Sequence, residues 1–267
     1  MTSFLNRIVL LALVTLGIAP AMAQDDSIDQ WLTRAGVNVT RFLNQLGDVR
    51  CNEEVQQEKL TAKGKSEERL QSSFEYIVLA QNQGNEPTLF ESREAVKQAH
   101  SKKNLSLLVT NGFATQLLIF HPYYQSSFTF DRLPDVRVNG TNYIQLHFQH
   151  VKGRPTPAAL LLRGREYPLS LAGVARIDPQ TGAVAHIETE LGSSMQDLGL
   201  NSFRSEVDYA PVALPQSKSY LLPAVAVVEV NSTKQHWKNV HRFTNYRLFS
   251  VSVTESVDVD KLKQKEQ

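Results

Sequence analysis

The chain has 267 residues, with 28 Lys and Arg against 27 Asp and Glu, and 42% of it is apolar. So even a balance sets up no global field to steer the protein onto nucleic acid or an anionic membrane, and no nucleic-acid partner is expected. The single cysteine, Cys51, excludes an internal disulfide, which fits a bacterial envelope protein better than a eukaryotic secreted one.

Residues 1–23 carry one charge, Arg7, then an apolar stretch over residues 8–18, then Ala21-Met22-Ala23. This is the pattern of a secretory signal peptide cleaved after Ala23. The apolar run is about half of the roughly 20 residues that a membrane-spanning helix needs. No cysteine follows the cleavage point as a lipid acceptor. The expected mature chain, without a transmembrane segment, is periplasmic or secreted. Its loss of Arg7 leaves equal numbers of acids and bases.

Ser27 and Gln30 form a capping-box pattern. Ile28, Trp31, Leu32, Ala35, Val39, Phe42, Leu43 and Leu46 then fall on one helical face, and Gly47 supplies a stop. Beyond Gly47 the period changes to that of strands. Leu70, Phe74, Tyr76, Val78 and Ala80 mark one, and Ile144, Leu146 and Phe148 alternate with polar residues in another. Gly64-Lys65, Asn139-Gly140 and Gly153-Arg-Pro155 read as turns of an antiparallel meander. Residues 112–120 suit a short apolar helix bearing Phe113, Leu117 and Phe120, although Asn111-Gly112 also allows a hairpin.

Asp178-Pro179-Gln180-Thr181-Gly182 has the chemistry of a hairpin turn, and strict alternation after it puts Ala183, Ala185 and Ile187 on one face, His186, Glu188 and Glu190 on the other. Residues 221–230 are apolar at both parities, with Leu222, Ala224, Ala226 and Val228 on one face. Such a strand needs cover on both sides, or a core on one and an apolar cavity on the other. A last strand is expected over residues 237–254, and residues 256–267 read as a disordered tail. Residues 24–255 are expected to form a single domain.

Chemistry is hard to find. Gly64-Lys65-Ser66 lacks the earlier glycine of a phosphate loop, and His147 and His150 point to opposite faces of a regular strand, so no metal pair forms. Glu53-Glu54, Glu67-Glu68 and Glu188 with Glu190 sit in charged stretches that read as solvated, whereas a catalytic carboxylate pair needs an apolar setting. No catalytic residue, metal or cofactor is expected.

The order of parts includes the capped helix, the meander, Ala175-Arg-Ile-Asp-Pro-Gln-Thr-Gly182, Leu221-Leu-Pro223 opening a strand, and Asn245-Tyr-Arg-Leu-Phe249 near the end. In this order the chain resembles the periplasmic lipoprotein-carrier (LolA/LolB-like) superfamily over about residues 42–254. The resemblance implies a mainly β (α+β) half-barrel, a curved antiparallel sheet covered by an N-terminal helix and a short mid-chain helix. In the family the concave face holds acyl chains. The implied lining here is Phe113, Leu117, Phe120, Ile144, Leu146, Phe148, Leu222 and Ala224. The chain departs from true carriers in being longer. The expected function is therefore non-catalytic binding of a lipid or other apolar molecule, the alternative being a solid-cored protein that acts through an envelope protein partner.

Overall fold

A computed structural model describes residues 27–45, 48–83, 86–97, 111–162, 164–214 and 219–248. The expected signal peptide, the Gly47 stop, the end of the last strand and the tail lie outside the described residues.

The first helix, α1 (Ile28–Gln45), starts on the reciprocal cap its sequence calls for. The Ser27 hydroxyl accepts the Gln30 N–H at 3.4 Å, and Gln30 Oε1 accepts the Ser27 N–H at 3.3 Å. Trp31, Ala35, Val39, Phe42 and Leu43 are buried along one stripe. That stripe is the face α1 lays on the sheet.

Twelve strands follow among the described residues. They are β1 (Val49–Leu60), β2 (Ser66–Gln83), β3 (Glu86–Lys97), β4 (Phe128–Val138), β5 (Thr141–His150), β6 (Ala159–Leu162), β7 (Arg165–Pro168), β8 (Leu171–Ile177), β9 (Val184–Leu191), β10 (Leu200–Ala213), β11 (Ser219–Ser232) and β12 (His236–Leu248). Ten of them form one curved, unclosed antiparallel sheet in the order β3-β2-β1-β12-β11-β10-β9-β8-β5-β4. β6 and β7 pair only with each other, as an excursion between the neighbouring strands β5 and β8. The fold is the expected mainly β half-barrel with helices on its concave face.

Three local features differ from simple alternation. Residues 112–120 form neither a hairpin nor one α-helix: a tight 3-10 helix (Thr115–Phe120) leads into a single α-helical turn, α2 (Pro122–Gln125). His121 causes the break, because its extended backbone ends the first helix while its Nδ1 caps the Tyr123 N–H at 3.2 Å. In β9, Val184 pairs with Ile177 and His186 with Arg176, so Ala185 is a β-bulge. The bulge brings Val184 inward with Ile187, whereas Ala183 and Ala185 stay half-buried. A similar slip leaves Ala224 without a ladder partner opposite the step from Asp208 to Tyr209.

The Asp178 turn also fastens α1. Gly182 adopts φ +71°, and a Cβ there would meet Arg34 Cβ at 2.5 Å, so a residue with a side chain would lift the helix. Asn38 Nδ2 donates to Thr181 O at 2.6 Å across the same contact. Gly173 of β8 is needed for another close approach: a Cβ on it would lie 1.8 Å from Glu188 O.

Candidate functional site

A strap, residues 111–120, crosses the concave face and divides it in two. Glu91 of β3 ties its start. Glu91 Oε2 accepts the N–H groups of Gly112 and Phe113 at 2.8 and 2.9 Å, Oε1 accepts the N–H and hydroxyl of Thr115 at 2.7 Å each, and the Tyr76 hydroxyl adds a further bond. On the opposite strands the Tyr209 hydroxyl donates to Phe113 O at 2.7 Å, and Gln116 Nε2 donates to Ser205 Oγ at 3.1 Å. The strap is thus pinned to β3 and to β10.

On the α1 side of the strap aromatic rings pack closely. Phe120 packs on Phe130 and Phe148 at ring-centroid distances of 5.8 and 6.2 Å, and Phe113 on His241 and Phe243 at 4.8 and 5.6 Å. Phe113, Leu117, Phe120, Ile144, Leu146, Phe148 and Leu222 are all buried in this one core. Ala224, at its slip in the ladder, is half-exposed and outside it. Of the eight residues, Leu117 borders a cavity of about 170 Å³, shared with Val39, Phe42 and Tyr220.

A larger cleft, about 570 Å³, lies on the other side of the strap. Leu89, Phe90 and Glu91 of β3 form one side of it, and Asn111, Gly112, Thr115 and Gln116 of the strap form another. Leu200 and Phe203 of β10 and Val230 of β11 make the floor, and the β6–β7 excursion, through Ala158, Leu160, Leu161, Leu169 and Leu171 at its end, closes over it. Along β11 the two regions sit at opposite ends: Tyr220 meets Phe42 of α1, whereas Val230 faces the cleft. Two large apolar side chains at the rim are open to solvent, Phe90 at 51% and Leu161 at 67% exposure.

The sequence reading missed this cleft because its walls come from short segments without a periodic signature. Residues 157–171 show neither a strand-length alternation nor a helical stripe. Phe203 and Val230 become neighbours only through the β10–β11 register, in which they pair directly. A signal did exist for the cover: between Pro157 and Pro168 an apolar run, Ala158 to Leu162, is followed by Gly164 and then Tyr167, which suits a short hairpin.

Polar atoms gather beneath the strap. Glu53, read from sequence as solvated, is fully buried on β1. Its Oε1 accepts from Arg93 Nη2 at 2.7 Å and meets His241 Nδ1 at 2.7 Å, and its Oε2 accepts from Arg93 Nε. Burial drives the Glu53 carboxyl up, but the bonds to His241 and Arg93 and the Arg93 charge outweigh it and hold the group below the ordinary range. Burial depresses His241, against the opposing pull of Glu53. A neutral imidazole with its proton on Nδ1 accounts for Nε2, which is buried without a hydrogen-bond partner. Alternation could have placed Glu53, since Val49, Cys51, Val55 and Gln57 share its parity and are buried too.

Cys51 is fully buried, and burial pushes its thiol up to about 12, so it is an inert side chain. Gln116 and Thr189 are also buried, at 7% and 1% exposure, and Gln116 Oε1 and Thr189 Oγ1 find no partner. Each such atom costs about 1–3 kcal/mol. Among the described residues, no group of three or more His, Cys, Asp or Glu is placed to hold a metal, and no helix is long and apolar enough to cross a membrane.

No protein-family model matches the chain, and no curated protein matches it in sequence. In structure it is similar to a DUF1329 family protein from Desulfovibrio piger, at 10% identity and a TM-score of 0.45 over 87% of this chain and 97% of that one. It is similar also to a putative outer membrane lipoprotein-sorting protein domain from Vibrio parahaemolyticus, at 11% identity and a TM-score of 0.42 over 85% of this chain and 98% of that one. A fainter likeness is to the Pseudomonas aeruginosa MucA/MucB complex, at 11% identity and a TM-score of 0.21 over 83% of this chain and 99% of that one.

Proposed function

We propose that the protein is an exported, non-catalytic binder that holds the apolar part of a lipid or similar molecule in the cleft beneath β6 and β7. The observation that carries this reading is the cleft itself. At about 570 Å³ it falls within the roughly 300–1,000 Å³ of small-molecule sites, and its floor and cover are leucine, phenylalanine, valine and alanine. Water in such a space is readily displaced by an alkyl chain, at about 25 cal/mol per Å² of apolar surface removed from solvent.

The cover is built to move. β6 and β7 share four residue pairs and no ladder with the main sheet. The excursion is tied at its base by Leu169 N to Ala158 O at 2.9 Å, and the Thr156 hydroxyl to Leu169 O at 3.0 Å. Lifting it breaks little, which suits an entrance. Non-catalysis is supported by the way the clustered titratable groups are spent on one another: Glu53, Arg93 and His241 form a closed set and none borders the cleft.

The test is mass spectrometry of organic extracts of the chain purified from a bacterial periplasm without detergent. A stoichiometric lipid, lost on Phe203→Asp while the circular dichroism spectrum is unchanged, is the expected result. A folded protein that carries no lipid and takes none up from vesicles overturns the reading. A second reading, a protein-contact surface at the rim, draws on the exposure of Phe90 and Leu161. It predicts that the folded chain carries no lipid and that Phe90→Ser with Leu161→Ser abolishes a partner complex.

A further inference from the structure

We propose that a second, smaller site lies under the C-terminal half of α1 and takes a small aromatic carboxylate, with Phe42 and Tyr220 against its ring and Arg41 on its carboxylate. The site does not depend on the larger cleft, which lies across the strap from it.

The space is that of a single ring. Val39, Phe42, Leu117, Val184 and Tyr220 border about 170 Å³ between α1, the strap and the first residues of β9 and β11. An apolar cavity of about 150 Å³ is enough to hold benzene. All five side chains are buried, so the core behind them fixes the walls. Phe42 and Tyr220 meet edge to face, with centroids 6.4 Å apart and planes at 69°. A third ring beside them extends an arrangement that aromatic groups prefer to a face-to-face sandwich, and it gains from this beyond the area it buries. An alkyl chain gains the area alone.

A cation is held at the mouth. Asn38 and Arg41 line the cavity on the flank of α1, Asn38 half-buried and Arg41 exposed. Asn38 Nδ2 donates to Thr181 O at 2.6 Å and to Arg34 O at 3.1 Å, and its Oδ1 accepts from Arg41 Nη1 at 3.3 Å. The Asp178 turn thus holds Asn38, and Asn38 orients Arg41. A guanidinium presents five N–H groups in a planar fork that suits a carboxylate. Neighbouring residues of α1 therefore supply the ring wall and the charge, Phe42 inside and Arg41 at the rim. A ligand whose carboxylate is joined to its ring by a short linker matches that adjacency. The corresponding amide keeps the shape without the charge, and an amine brings a charge of the same sign as Arg41.

The experiment uses the full mature chain and ligand-observed NMR titration with phenylacetate, phenylacetamide and phenethylamine at low salt and about pH 7, where they are anion, neutral molecule and cation. Phenylacetate is expected to bind tighter than phenylacetamide by about two- to fivefold, with phenethylamine weakest. Arg41→Gln should bring the first two together, and Val39→Phe, which fills the cavity, should abolish binding of all three. Equal binding of phenylacetate and phenylacetamide to the unsubstituted chain, or failure of all three to bind at about 5 mM, overturns the inference. So does undiminished binding to a folded Val39→Phe variant, because the ligand then sits elsewhere. The three ligands on the unsubstituted chain, with Arg41→Gln on the exposed flank of α1, decide the matter even if Val39→Phe folds poorly. Lipid carried by the purified chain tests the larger cleft separately.

Discussion

Replacing Glu91 by Ala should cost about 2–6 kcal/mol of folding stability and open the cleft. The magnitude follows from which donors the change strands. Of those Glu91 accepts from, the Gly112 and Thr115 groups sit in half-buried residues that water can reach, whereas the Phe113 N–H and the Tyr76 hydroxyl lie in residues 1% and 0% exposed. Each of these two buried donors loses its acceptor, at about 1–3 kcal/mol apiece. Glu91→Gln should recover little, because one end of the carboxamide is a donor and would face either the Gly112 and Phe113 N–H groups or those of Thr115. The assay is urea denaturation followed by the fluorescence of Trp31 and Trp237, both buried, with uptake of the neutral fluorescent probe N-phenylnaphthylamine measured in parallel on the folded variant. A glutamine variant as stable as the unsubstituted chain, or an alanine variant less than about 0.5 kcal/mol weaker, would refute the account of Glu91 as the anchor of the strap.

Two further predictions concern the buried cluster. Glu53→Leu and Arg93→Leu should each cost about 3–5 kcal/mol, because each leaves a buried charge without its partner, yet the double variant should cost much less than their sum; strictly additive losses in urea midpoints would show that the pair is not coupled. His241 makes stability depend on pH. Its folded-state pKa lies below the ordinary 6.5 through burial, so below about pH 6.5 the unfolded chain binds a proton that the folded one does not. Stability therefore falls as pH falls from there, by at most about 1.4 kcal/mol per pH unit from this group. Glu53, held below its ordinary 4.5, contributes stability above that value which is lost as pH drops through its folded-state pKa. Urea midpoints between about pH 6.5 and 5 should fall less steeply for His241→Gln than for the unsubstituted chain; equal slopes would mean that His241 titrates normally.

The amino-acid sequence alone determined the capped helix from Ile28, the turn at Asp178 to Gly182 and the inward face of Ile144, Leu146 and Phe148, because caps, turns and period-two burial are local and repeat within a few residues; the helix-covered half-barrel was implied by the family resemblance. It misplaced Glu53 because acidic neighbours looked like a solvated run, although its parity with Val49, Cys51 and Val55 pointed inward. Only the tertiary structure decided where the empty space lies. The residues expected to line a cavity pack closely on the α1 side, with interlocking aromatic rings, and the larger cleft opens across the strap instead, under the β6–β7 excursion. Its walls, Leu89 to Glu91, residues 111–116, Leu160, Phe203 and Val230, are far apart in the chain and meet only through strand register and the crossing of the strap. Whether apolar side chains meet each other or surround a void depends on that long-range geometry, since the same hydrophobic pattern in sequence serves a packed core and a cavity wall equally well.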